Sequence, residues 1–144
     1  MKKILSLISL LMFLPSMVFA QNIEYIGVEN EINGNLVNTD IDIIFSFPNT
    51  DKFVFPVYAS VLNMTSNFGS DCFLEKRTYG FDIVCSLASL ASDRRSLTIN
   101  FTSSGMIAQQ ENQFIFSNDI FIPSEVSTLF YQVILPGGAG LPQD

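Results

Sequence analysis

The chain has 144 residues, 14 of them acidic and 7 basic, with a formal charge of −7, no histidine, no tryptophan, two cysteines and 14 phenylalanines. Without imidazole, Ser-His-Asp triads, Cys-His pairs and His-ligated metal centres are excluded, which removes most hydrolase templates. The acidic balance, with its few basic residues scattered, excludes the electrostatic footprint of a nucleic-acid or anionic-membrane binder.

The first twenty residues form a secretory signal. Lys2 and Lys3 precede an apolar run over residues 4–14, Pro15 breaks it, and Val18 and Ala20 occupy the −3 and −1 positions of a cleavage site. Cleavage between Ala20 and Gln21 is expected, and Gln21 in place of cysteine argues against a lipoprotein anchor. The alternative is an uncleaved N-terminal anchor, for which the run is short. No later apolar run is long enough to span a bilayer. Once the signal is removed, five basic residues (Lys52, Lys76, Arg77, Arg94 and Arg95) face fourteen acidic ones, a formal charge of −9. Residues 21–140 suit a single domain, with 141–144 as a tail or the start of a linker.

From Asn22 onward the apolar residues recur with period two. IGVENEI and NLVNTDI flank Asn33-Gly34, which predicts a hairpin with a type I′ turn. Pairing Ile32 with Asn35 places Val28 across from Thr39 and Ile26 across from Ile41. Ile26, Val28, Val37 and Ile41 then share a buried face, and Glu29, Glu31, Asn38, Asp40 and Asp42 share a wet one. The second strand continues inward through Ile43, Phe45 and Phe47 until Pro48. The run from Glu29 through Glu31 and Asn33-Gly34 to Asp40 also imitates the spacing of a calcium-binding EF-hand loop. Its first and twelfth positions carry Glu and Asp where that loop wants the reverse, and its flanks alternate as strands do, so the hairpin is preferred and no metal is expected.

Residues 52–58 (KFVFPVY) and 59–64 (ASVLNM) are the next strand candidates, and Pro56 confines the first to an edge or a bend. After a turn at residues 67–70 comes the stretch with both cysteines, CFLEKRTYGFDIVC. Pairing its arms about Thr78-Tyr79 sets Cys72 opposite Cys85, Leu74 opposite Ile83 and Lys76 opposite Phe81. A cross-strand disulfide becomes plausible, since an exported chain with an even cysteine count favours an oxidised pair. Its chain-entropy contribution would be roughly 3 kcal/mol. Metal ligation is disfavoured, as no histidine or third cysteine completes a soft-metal site.

Residues 87–92 are locally ambiguous, and Arg94-Arg95 is expected in a solvated turn. Residues 96–102 (SLTINFT) alternate with Leu97, Ile99 and Phe101 inward. Residues 113–117 and 119–122 are a further pair of candidates, and residues 128–135 (TLFYQVIL) the last, closed by Pro136-Gly137-Gly138. Seven to nine short strands without a convincing helix read as an antiparallel two-layer β-sandwich. Its expected core comprises Ile26, Val28, Val37, Ile41, Ile43, Phe45, Leu97, Ile99, Phe101, Phe116 and Val133. Asn63-Met64-Thr65 and Asn100-Phe101-Thr102 are N-glycosylation sequons.

The order of an alternating strand, Phe-Ile-Phe-Ser, Pro-Ser and Tyr-x-Val-Ile-Leu-Pro-Gly-Gly-Ala resembles the extracytoplasmic domains of uncharacterised archaeal membrane proteins, some of which carry a cytoplasmic winged helix-turn-helix. Those domains also open with a hairpin like residues 32–35 and pass through an aromatic strand like residues 45–48. The chain departs from them at Gly138 and in having no downstream membrane span. The resemblance implies work at the outer face of a membrane, either as part of a longer membrane protein or as a shortened relative docked onto an anchored partner. It supplies no catalytic residues.

No phosphate-binding glycine loop precedes a helix, and the carboxylates Asp40 and Asp42 lie on a wet strand face. A non-enzyme without cofactor is therefore expected: an exported binding, sensing or interaction module with a protein partner. The alternatives are a structural envelope component and an enzyme without histidine chemistry.

Overall fold

In a computed structural model, which describes residues 23–46, 52–87, 96–111, 113–119 and 126–137, the chain is an all-β, two-layer sandwich. Ten strands follow one another among the described residues: β1 (Ile23–Asn33), β2 (Leu36–Phe45), β3 (Lys52–Val57), β4 (Ser60–Ser66), β5 (Cys72–Arg77), β6 (Gly80–Ser86), β7 (Ser96–Ser104), β8 (Ile107–Gln110), β9 (Gln113–Phe116) and β10 (Val126–Ile134). A 3-10 turn, Gly69–Asp71, leads into β5. One sheet has the order β10-β1-β2-β7-β4, the other β3-β6-β5, and β8 and β9 form a separate hairpin. The signal cleavage site at Ala20 and Gln21, Phe47, the ambiguous residues 88–92, Arg94-Arg95 and residues 120–122 lie outside the described residues.

The core is the space between the two sheets. Ile26, Val28, Val37, Ile41, Ile43, Phe45, Leu97, Ile99 and Phe101 from the larger sheet meet Phe53, Phe55, Val57, Ile83 and Cys85 from the smaller. Phe45 and Phe53 join the layers edge to face, with ring centroids 5.8 Å apart, an arrangement that suits the quadrupoles of two rings. Two expected core residues differ. Phe116 is only half-buried, packed at the core's margin, and Val133 is half-buried on β10, an edge strand.

The cysteine hairpin has the expected register, with Cys72 opposite Cys85, Leu74 opposite Ile83 and Lys76 opposite Phe81. The two cysteines are joined by a disulfide. The first hairpin keeps its expected faces but slides by two in register: Ile32 pairs with Val37, Val28 with Ile41 and Ile26 with Ile43. Gly34 and Asn35 are the two turn residues, and only Gly34 has a positive φ, of 65°. Glycine at the first central position is the requirement of a type II′ turn, so the turn lies one residue later than a type I′ reading of Asn33-Gly34 places it. Because the slide is even, no side chain changes face.

Two further differences bear on the site. The hairpin partner β8, polar apart from Ile107 and Ala108, is not marked by alternation. And β10 runs parallel to β1, Ile26 facing Leu129 and Val28 facing Tyr131, whereas every other pairing among the described residues is antiparallel. Periodicity reports which face a side chain takes, not the direction of the neighbouring strand.

Candidate interaction surfaces

The outer face of the larger sheet is a set of cross-strand rows. Glu29, Asp40, Asn100 and Thr65 make one, and Glu31, Asn38, Thr102 and Asn63 the next. Donors on β7 meet acceptors on β2: Asn100 Nδ2 donates to Asp40 Oδ1, Thr98 Oγ1 to Asp42 Oδ1 at 2.8 Å, and Thr102 Oγ1 to Asn38 Oδ1 at 2.9 Å. The backbone N–H of Thr102 donates to Asn63 Oδ1 at 3.2 Å. Both sequon asparagines, Asn63 and Asn100, are thus exposed on this face and engaged in the rows. Tyr25 lies back across Gly27, where an added Cβ would meet the phenol oxygen at 2.6 Å. The run that imitates a calcium loop falls on two paired strands of this face, with Glu29 directly opposite Asp40.

At one end of the sandwich, an open depression of about 450 Å³ is lined by Tyr58, Ser60, Lys76, Arg77, Tyr79 and Ser104, among others. Gly80 holds the Thr78-Tyr79 tip against β3. Its φ is 116°, and a Cβ there would collide with the carbonyl oxygen of Val57, so only glycine fits the approach. The guanidinium of Arg77 pairs with Asp82, a carboxylate just 1% exposed in the middle strand of the smaller sheet. Pairing is what makes a buried carboxylate tolerable. The depression thus combines two phenols and two cations, one already neutralised.

The four outer edges of the two sheets differ in how they are guarded. β3 carries Pro56, as the sequence suggests for an edge, and β5 carries Glu75, Lys76 and Arg77. β4 has a register shift between Val61 and Asn63. Proline, charge and irregularity are the devices that stop a free edge from recruiting strands. β10 has none of them: its nine residues, VSTLFYQVI, include no charge, proline or glycine, and its pairing with β1 has no register shift. Leu129 is 51% exposed, and Phe130, Tyr131 and Ile134 are exposed as well. Among the described residues, no strand pairs with the other side of β10.

A polar relay holds the inner side of this edge. Thr39 Oγ1 donates to Asn30 Oδ1 at 2.9 Å, and Asn118 Nδ2 donates to the same oxygen at 3.4 Å. The Asn118 side chain also hydrogen-bonds the Tyr131 phenol. Burial raises the Tyr131 pKa above the usual phenol value, and the bond to Asn118 partly offsets this. The segment after β9 is thereby tied to both β1 and β10.

Sequence reasoning offered the Pro56 strand as an edge or a bend and counted Val133 of β10 in the core. The overlooked signal was the consecutive run Leu129-Phe130-Tyr131. Apolar groups on both faces of a strand look like complete burial, but here the smaller sheet does not cover the strand. Comparison with known proteins returns no matching family model and no matching curated protein. Among the described residues, no helix is long and apolar enough to cross a membrane.

Proposed function

We propose that the mature chain is a non-catalytic module, exported across the membrane and acting at its outer face by binding a protein partner. The secretory signal and the disulfide support the extracytoplasmic setting, because disulfides persist in oxidising compartments. The similarity to archaeal extracytoplasmic domains supports the membrane-facing one. The observation that carries the binding role is the unguarded β10 edge. Its open N–H and C=O groups offer main-chain hydrogen bonds, and its apolar side chains offer pockets and ridges to a strand added alongside.

The test is to expose envelope extract to the immobilised mature chain and to its Phe130→Asp variant. Retention of one stoichiometric partner by the wild type, lost in the variant, supports the module. Self-assembly into large particles would instead favour a structural envelope role. A wild type that neither retains a partner nor assembles refutes both.

A further inference from the structure

The β10 strand is close to palindromic in side-chain class, and we infer that the partner it fits is the β10 strand of a second copy of this chain, paired antiparallel about a two-fold axis through Phe130. This rests on the open-edge reading of β10. With Phe130 on the axis, Leu129 faces the second copy's Tyr131, Thr128 faces Gln132, and Val126 faces Ile134. Aliphatic thus meets aromatic or aliphatic, and polar meets polar. Ser127 against Val133 is the one mismatched pair. Cross-strand partners of these kinds stabilise an antiparallel ladder, and an isologous contact requires a patch that complements itself.

The surroundings agree. Leu129, Phe130 and Tyr131 are exposed at 51%, 47% and 40%, so their apolar surface is available on both faces of the strand. The contact would join two five-stranded sheets into one, still within the roughly ten strands that a twisted open sheet sustains. Charge does not oppose it despite the acidity of the chain. The carboxylates of the adjacent strand, Glu24, Glu29 and Glu31, sit on β1. The two β1 strands would lie three strand spacings apart, about 14 Å, which exceeds the Debye length of roughly 8 Å at physiological salt. The contact also closes on itself, because each copy spends its unguarded edge, so the product is a dimer and not a fibre.

Sedimentation equilibrium of the mature chain at tens of micromolar is the test, with circular dichroism to verify that each variant keeps its fold. The wild type is expected to be a dimer, and Phe130→Asp, which sets two carboxylates against each other at the axis, to weaken it roughly tenfold or more. The register is tested by two double variants. Leu129→Lys with Tyr131→Lys places like charges across the seam and should leave monomers; Leu129→Lys with Tyr131→Glu places opposite charges there and should restore the dimer. Equal behaviour of the two double variants, or a dimer indifferent to Phe130→Asp, overturns the inference. If the wild type is monomeric but Phe130→Asp still abolishes capture of a different envelope protein, the second copy is overturned and the open-edge reading stands. A monomeric wild type whose capture is unaffected by Phe130→Asp overturns both.

Discussion

In the buried layer between the sheets, the hydroxyl of Thr39 donates to Oδ1 of Asn30 across the β1–β2 ladder at 2.9 Å. The pair is almost completely buried, at 2% and 0% exposure, and Asn30 Nδ2 has no hydrogen-bond partner among the described residues. A buried polar group stripped of its partner costs its desolvation, whereas replacing both partners by apolar groups of similar shape is close to neutral. Thr39→Val alone should therefore destabilise by about 1–3 kcal/mol, and adding Asn30→Leu should recover most of the loss. Urea unfolding of the single and double variants measures this. A double variant less stable than Thr39→Val would show that Asn30 is held by more than this relay.

The disulfide should matter to stability. Cys72 and Cys85 are both buried and close a short loop, so the double substitution Cys72→Ala with Cys85→Ala should cost about 3 kcal/mol by chain entropy. Non-reducing peptide mapping of the exported protein should recover the two cysteines linked. Two alkylatable thiols in that protein would contradict the pairing.

Alkaline pH should act through Tyr131. Its native pKa is raised above the usual 10.0, first by burial, so between that value and the raised one the native state holds a proton that the unfolded state has released. Stability attributable to this group is complete below pH 10.0 and declines as pH rises through the native pKa. Thermal melts from neutral to alkaline pH should show a steeper loss for the wild type than for Tyr131→Phe. Parallel pH profiles would contradict the assignment.

Gly80→Ala should be costly, since the new Cβ meets the Val57 carbonyl oxygen at a positive φ. Strain of this kind is worth roughly 1–3 kcal/mol. Tyr79→Ala at the neighbouring tip, 83% exposed in the parent, should stay within about 0.5 kcal/mol. Equal midpoints in denaturant for the two variants would remove the close approach from the account.

The fold and the site differ in how far the sequence reveals them. The β5–β6 register is legible because alternation continues on both sides of Thr78-Tyr79 and Gly80 marks where the return strand starts. The faces of β1 and β2 are legible for the same reason, but their register depends on whether Asn33 or Gly34 opens the turn, a choice that hydrophobic pattern cannot make. The edge is harder still. Whether Leu129, Phe130 and Tyr131 are buried depends on whether the opposite sheet extends beneath β10, and on its parallel placement beside β1. Both are set by the packing of distant segments, so apolar residues at an interaction edge carry the same local signature as residues of a core.

The most direct test of the binding role is site-specific photocrosslinking in the intact envelope, with the probe at Thr128 on the β10 edge or at Leu62 on the β4 edge. An open, occupied β10 edge predicts one discrete adduct from position 128, of either twice the mass of the chain or the chain plus a single partner, and none from position 62. No adduct from position 128, or the same adducts from both positions, would contradict it.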